Sequence, residues 1–111
     1  MTIDTTQQDF EQLWDYAQPA ESEKRFRAAL GTVEAGSENQ LQLLTQLART
    51  HSLRRDFDAS HKLLDQVEPG LAGSTPKVRV RYALERGRAF NSAGDKAKAR
   101  PLFVSAWEQA S

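Results

Sequence analysis

Apolar residues recur along this chain at steps of three and four. Leu43, Leu44, Leu47, Ala48 and His51 share one side of a helix. Leu63, Leu64 and Val67 follow, and Val80, Ala83, Leu84, Gly87 and Phe90 form a third such stripe. That period is helical. No alternating Val/Ile/Thr run is bounded by hairpin turns, so strand signals are scarce. Pro19 suits a first helical turn, where its missing N–H costs nothing. Gly31 and Gly36-Ser37 break the next pair of helices, and Arg55-Asp56 makes a tight connection with Asp56 as a cap. The longest loop runs from Glu68-Pro69-Gly70 to Gly73-Ser74-Thr75-Pro76, with Ser74 or Thr75 as the cap beyond it. Gly94 fits a left-handed helix end, and Asp95 caps the last helix. These signals predict helices over about 8–17, 20–34, 38–53, 56–68, 75–92 and 95–110, in antiparallel neighbours because the connections are short.

The helices repeat. Ser22, Ser60 and Ala99 coincide when the chain is laid over itself at steps of 38 and 39 residues. Phe26, Leu64 and Phe103 then coincide, as do Ala29, Val67 and Ala106. On the preceding helices Ala48 meets Gly87 and His51 meets Phe90. Two antiparallel helices approach closely only where their crossing carries little side chain. Ala48 and Gly87 supply that on the first helix of a pair, Ser60 and Ala99 on the second. A glycine inside a helix costs roughly 1 kcal/mol relative to alanine, so a close contact is the reason expected for Gly87. The larger Phe57, Phe90, Phe103 and Leu64 fill the spaces between pairs.

The run Arg86-Gly87-Arg88-Ala89-Phe90-Asn91-Ser92-Ala93-Gly94-Asp95-Lys96-Ala97-Lys98-Ala99 resembles the core of a tetratricopeptide repeat. Leu47 to Ser60 is a weaker copy, and the unit around Leu13-Trp14-Asp15-Tyr16-Ala17 is weaker still. The resemblance implies an all-α fold, a right-handed α-α superhelix of three antiparallel hairpins. Its units span about 8–37, 38–73 and 74–111, after a flexible tail over 1–7. The usual repeat is shorter, at about 34 residues, and the long loop before Pro76 absorbs the excess. Ser60 and Val67 stand where alanine is commonest. Pro101 lies beyond the first turn of its helix, where one hydrogen bond is lost and a mild bend is expected.

Composition narrows the chemistry. The chain has 111 residues, 27% charged and 39% apolar, and no cysteine. A disulfide framework and a thiolate metal site are therefore excluded, which fits a reducing cytoplasm. Met1-Thr2-Ile3-Asp4-Thr5-Thr6 has neither a basic nor an apolar leader region, and no stretch reads as membrane-spanning. There is no P-loop, GxGxxG, HExxH or nucleophile elbow, so no enzyme, cofactor or metal is expected. His51 reads as a packed ring and His61 as an outer-face residue. Net charge is zero but uneven: residues 1–40 hold eight acids against three bases, and residues 71–111 hold eight bases against three acids. That leaves open a solvated surface, head-to-tail association, or a basic end meeting an acidic partner. The late bases fall on several helix faces without interleaved aromatics, which disfavours nucleic acid.

Stacked hairpins curve, and the first helix of each pair lines the concave side. The resemblance places Gln42, Thr45, Gln46, Arg49 and Ser52 there from the second unit. From the third it places Arg81, Leu84, Glu85, Arg88, Asn91 and Ser92. Arginines with amide neighbours suit an extended acidic peptide or a chain-end carboxylate, since guanidinium groups bind carboxylates in bidentate fashion. The expected function is a scaffold that holds a protein or peptide in this groove. The alternative is self-assembly through the last helix, where Leu102, Phe103, Ala106 and Trp107 leave an apolar face without a polar cap.

Overall fold

All but the first of the described helices begin where a short polar side chain takes up an otherwise orphaned backbone N–H; the first begins at Pro19, which has no N–H to satisfy, without a side-chain cap. In the computed structural model, which describes residues 13–15 and 17–110, five α-helices follow one another. They are α1 (Pro19–Leu30), α2 (Glu38–Leu53), α3 (Phe57–Val67), α4 (Pro76–Ser92) and α5 (Lys96–Ala110), with a 3₁₀ turn at Glu68–Gly70. Among the described residues there is no strand. Ser37 accepts from the Gln40 N–H, Asp56 from Ala59, Thr75 from Val78 and Asp95 from Lys98. Of the two cap candidates before Pro76, Thr75 is the cap. The Ser74 hydroxyl instead donates to the Leu71 carbonyl at 2.7 Å.

Two helix ends are built alike. Asp56 N–H donates back to the His51 carbonyl, and Asp95 N–H to the Phe90 carbonyl, both at 2.8 Å. Such a turn needs one left-handed residue. Gly94 fills that position at φ 90°, and Arg55 fills its counterpart at φ 62°.

Contacts fix the direction of each neighbour. Glu23 and Arg27 of α1 meet Arg54 and His51 of α2. His61, Asp65 and Glu68 meet Phe90, Arg86 and Tyr82 in that order, so α3 and α4 run antiparallel. Arg79 reaches Gln109, and Gly87 lies against Phe103, so α4 and α5 are antiparallel as well. α2 packs against α1, α3 and α4, whereas α5 packs chiefly on α4. The core surrounds α2: Phe26, Leu43, Leu44, Leu47, Ala48, Leu64, Val67 and Val78 form one buried cluster. The molecule measures 46 × 31 × 22 Å.

Some expectations change. A first helix over about 8–17 falls mostly outside the described residues, as does the tail over 1–7. Trp14, Asp15 and Ala17 are described, and they are not helical. There Asp15 caps the Ala17 N–H and exchanges hydrogen bonds with Ser22, a turn that feeds straight into Pro19. α1 stops at Leu30 rather than about 34: beyond Gly31 the Thr32 and Val33 N–H groups bond three residues back, to the Ala29 and Leu30 carbonyls, as turns rather than helix. α5 runs through Pro101 without a break. The other boundaries fall within one or two residues of expectation. No helix among the described residues is long and apolar enough to cross a membrane.

Candidate functional site

The wall shared by α2 and α4 carries most of the polar residues that the sequence singled out. Its organising group is Glu85. The Glu85 side chain is fully buried on the α2 side of α4. Arg88, one turn further on, donates to Glu85 Oε2 at 2.9 Å. Arg49 of α2 and Arg81 of α4 lie within electrostatic reach of the same carboxylate. Burial pushes the Glu85 carboxyl above the usual glutamate range, against the pull of Arg88, Arg49 and Arg81. Burial wins because desolvating the charged form costs more than these partly solvated cations return.

Trp14 covers the α2 half of the wall. Its indole N–H donates to Gln46 Oε1 at 2.7 Å, and its ring meets Phe26 edge-on at 5.1 Å. The Arg49 guanidinium lies over the Trp14 ring, 5.2 Å from its centre. Gln42 and Gln46 are therefore enclosed, at 5% and 6% exposure. Thr45 is buried too, and its hydroxyl donates to the Gln42 carbonyl. Among the described residues Glu85 Oε1 and Gln42 Nε2 are buried without a hydrogen-bond partner. Such atoms cost about 1–3 kcal/mol each when left unsatisfied.

The candidate residues thus separate into groups. Arg49, Arg81 and Arg88 come together around Glu85. Leu84 and Arg81 are half-buried beside them. Gln42 and Gln46 belong to the enclosed layer beneath. Asn91 is exposed and lines a different groove, on the α5 side. Ser52 turns toward α3, where its hydroxyl donates to Ser60 at 2.8 Å. The repeat positions Ala48, Ser60, Gly87, Ala99 and Ala106 are all buried. Phe90 is half-buried, with its ring 4.5 Å from that of His61.

His61 corrects an expectation. It lies between α3 and α4 rather than on an outer face. Arg86 reaches its ring nitrogen at 3.2 Å and its carbonyl at 3.0 Å. Burial, with the Arg86 charge second, pushes its pKa down. His51 keeps only 12% of its side chain exposed, but among charges. Glu23 lies 3.6 Å away and Asp56 3.4 Å away. Reading the sequence, one could have found the Glu85 cluster from the 39-residue shift, which sets Glu85 on Gln46 and Arg88 on Arg49. The shift gives matching positions, however, and not which of them lie under Trp14.

Among the described residues no group of His, Asp or Glu could hold a metal ion. No family model matches the chain, and neither a curated protein nor a solved structure matches it.

Proposed function

We propose that this chain is a non-catalytic interaction scaffold of the tetratricopeptide-repeat type, a right-handed superhelix that takes an acidic peptide segment against the α2–α4 wall. The observation that carries this reading is the gathering of Arg49, Arg81 and Arg88 around one buried carboxylate. Glu85 holds the guanidinium of Arg88 at the surface end of the cluster, where the side chain keeps 42% exposure. A peptide carboxylate arriving there meets charged donors whose orientation is already set, so less side-chain entropy is lost on binding.

The test uses Trp14 as the reporter, in a Trp107→Phe background. Acidic, neutral and basic peptides of equal length are titrated, and the emission change is read. Saturable binding confined to the acidic set is expected. Arg88→Glu weakens it by about tenfold or more, the loss of one charge-assisted contact and the gain of a repulsion. Glu85→Gln weakens it less than Arg88→Glu does, because glutamine keeps an acceptor for the Arg88 guanidinium but holds it less firmly than a carboxylate. Equal affinity across the three peptide sets, or indifference to Arg88→Glu, rejects the site.

A further inference from the structure

The structure contains its own template for what lies on the outer face of α5. The shift of 39 residues sets His61, Asp65 and Glu68 of the α3 side on Arg100, Val104 and Trp107 of α5. The first three residues carry the next helix, since they hold Phe90, Arg86 and Tyr82 of α4. Their counterparts on α5 face outward. Val104 is 48% exposed and Trp107 75%. With Phe103 and Ala99 they line an open groove of about 440 Å³ whose polar members are Asn91, Lys96, Arg100 and Glu108. A large exposed tryptophan beside an apolar groove is a recurrent mark of an interface.

The order of residues along α5 says what fits there. Arg100 lies four residues before Val104 and Glu108 four after it, one helical turn on either side. A two-fold axis through Val104 makes this stripe complementary to itself. Each Arg100 then faces Glu108 of the second copy, while Val104 meets Val104 and Trp107 covers the apolar centre. A two-fold interface requires such reciprocity, with residue i meeting j and j meeting i. The antiparallel direction is the one α4 takes on α3.

We propose that the outer face of α5 binds α5 of a second copy of this chain, antiparallel and centred on Val104. The face is one helix wide, and narrow contacts of this kind fall at the weak end of protein–protein interfaces. The dimer is therefore weak and forms in the micromolar range, set by Trp107 and aligned by the two Arg100–Glu108 pairs. This is independent of peptide capture on the α2–α4 wall, because Arg100, Val104, Trp107 and Glu108 all lie on α5, outside that wall.

Sedimentation velocity from low to high micromolar concentration reads the dimer directly. A monomer–dimer equilibrium is expected, and Trp107→Ala shifts it toward monomer by about tenfold or more. Circular dichroism melts confirm that so exposed a substitution leaves the fold in place. The charge variants decide the geometry. Arg100→Glu alone and Glu108→Arg alone each oppose like charges twice and stay monomeric. Mixed in equal amounts they pair, since every opposed position is then Glu against Arg, and the double variant Arg100→Glu/Glu108→Arg dimerises like the parent. A strict monomer at high concentration overturns the proposal and leaves this face to a helix of a different protein. So does a dimer that ignores the charge changes.

Discussion

The two complete hairpins have the same plan and different surroundings. In α2–α3 the crossing sets Ala48 and Ser60 at the close approach, and the matching large residue is Leu64. In α4–α5 the corresponding residues are Gly87, Ala99 and Phe103. A Cβ built on Gly87 would lie 2.8 Å from Phe103 Cε1. The larger ring thus demands the smaller partner, and the summed volume at the crossing is conserved between the two hairpins. The surroundings account for the rest. α2 has helices on three sides and is buried continuously from Leu41 to Ala48. Among the described residues α5 has one helical neighbour of consequence, α4, and of its own residues only Ala99 and Ala106 are buried. One local plan can therefore serve as a core element around α2 and leave an open surface on α5.

That contrast can be broken first at its large residues. Leu64→Ala should cost about 2–5 kcal/mol, as a fully enclosed leucine does. Phe103→Ala should cost clearly less despite its larger volume, because Phe103 is half-buried. Urea unfolding of the two variants compares them; equal losses would mean that α4–α5 is as closed as α2–α3. Next comes the crossing itself. Gly87→Ala overpacks by about 1–3 kcal/mol and regains about 1 kcal/mol of helix propensity, so a net loss near 1 kcal/mol is expected. Adding Phe103→Leu copies the Ala48–Leu64 pair and should recover most of that loss. A double-mutant cycle without coupling would falsify the volume exchange.

The two left-handed turns give a smaller effect of opposite sign. Arg55 occupies at φ 62° the position that Gly94 occupies at φ 90°. A side chain there costs about 1–2 kcal/mol. Arg55→Gly forfeits a cation–π contact with the Phe57 ring at 5.3 Å, worth about 0.5–1 kcal/mol at an exposed site. A small net gain in melting temperature follows, and Gly94→Arg should lose stability. The finest distinction is between Glu85 and its counterpart Gln46. The folded chain binds the Glu85 proton more tightly than the unfolded chain does. Stability therefore falls as pH rises from the ordinary glutamate range to the raised folded value, and is level above it. Glu85→Gln should remove that slope from thermal melts taken from mildly acidic to neutral pH. A variant curve parallel to the parent would show that burial of this carboxylate carries no cost.

Much of the fold is legible in the sequence. Asp56, Asp95 and the Ser74-Thr75 pair declared helix starts, though not which of that pair is the cap; Gly94 declared a helix end, and a glycine within a helical stripe declared a close contact at Gly87. These features act over a turn or two of chain, so local sequence carries them. The candidate site was legible only as a set of positions. The sequence brought Arg49, Arg81 and Arg88 to one wall, and it named Glu85 among them without marking it as their common partner. It placed Gln42 and Gln46 on an open surface and His61 on an outer face, and the structure encloses all three to differing degrees.

The reason is physical. Helix periodicity, caps and turn residues are settled by interactions between neighbours in the chain, so the sequence alone determined where helices lie and which of their positions are small. Burial of a polar group depends on what arrives from a distance. Trp14 reaches Gln46 across 32 residues, and Arg86 reaches His61 across 25. Only the tertiary structure decided that Glu85 would be a carboxylate without water, because only packing removes the solvent that otherwise holds its charge.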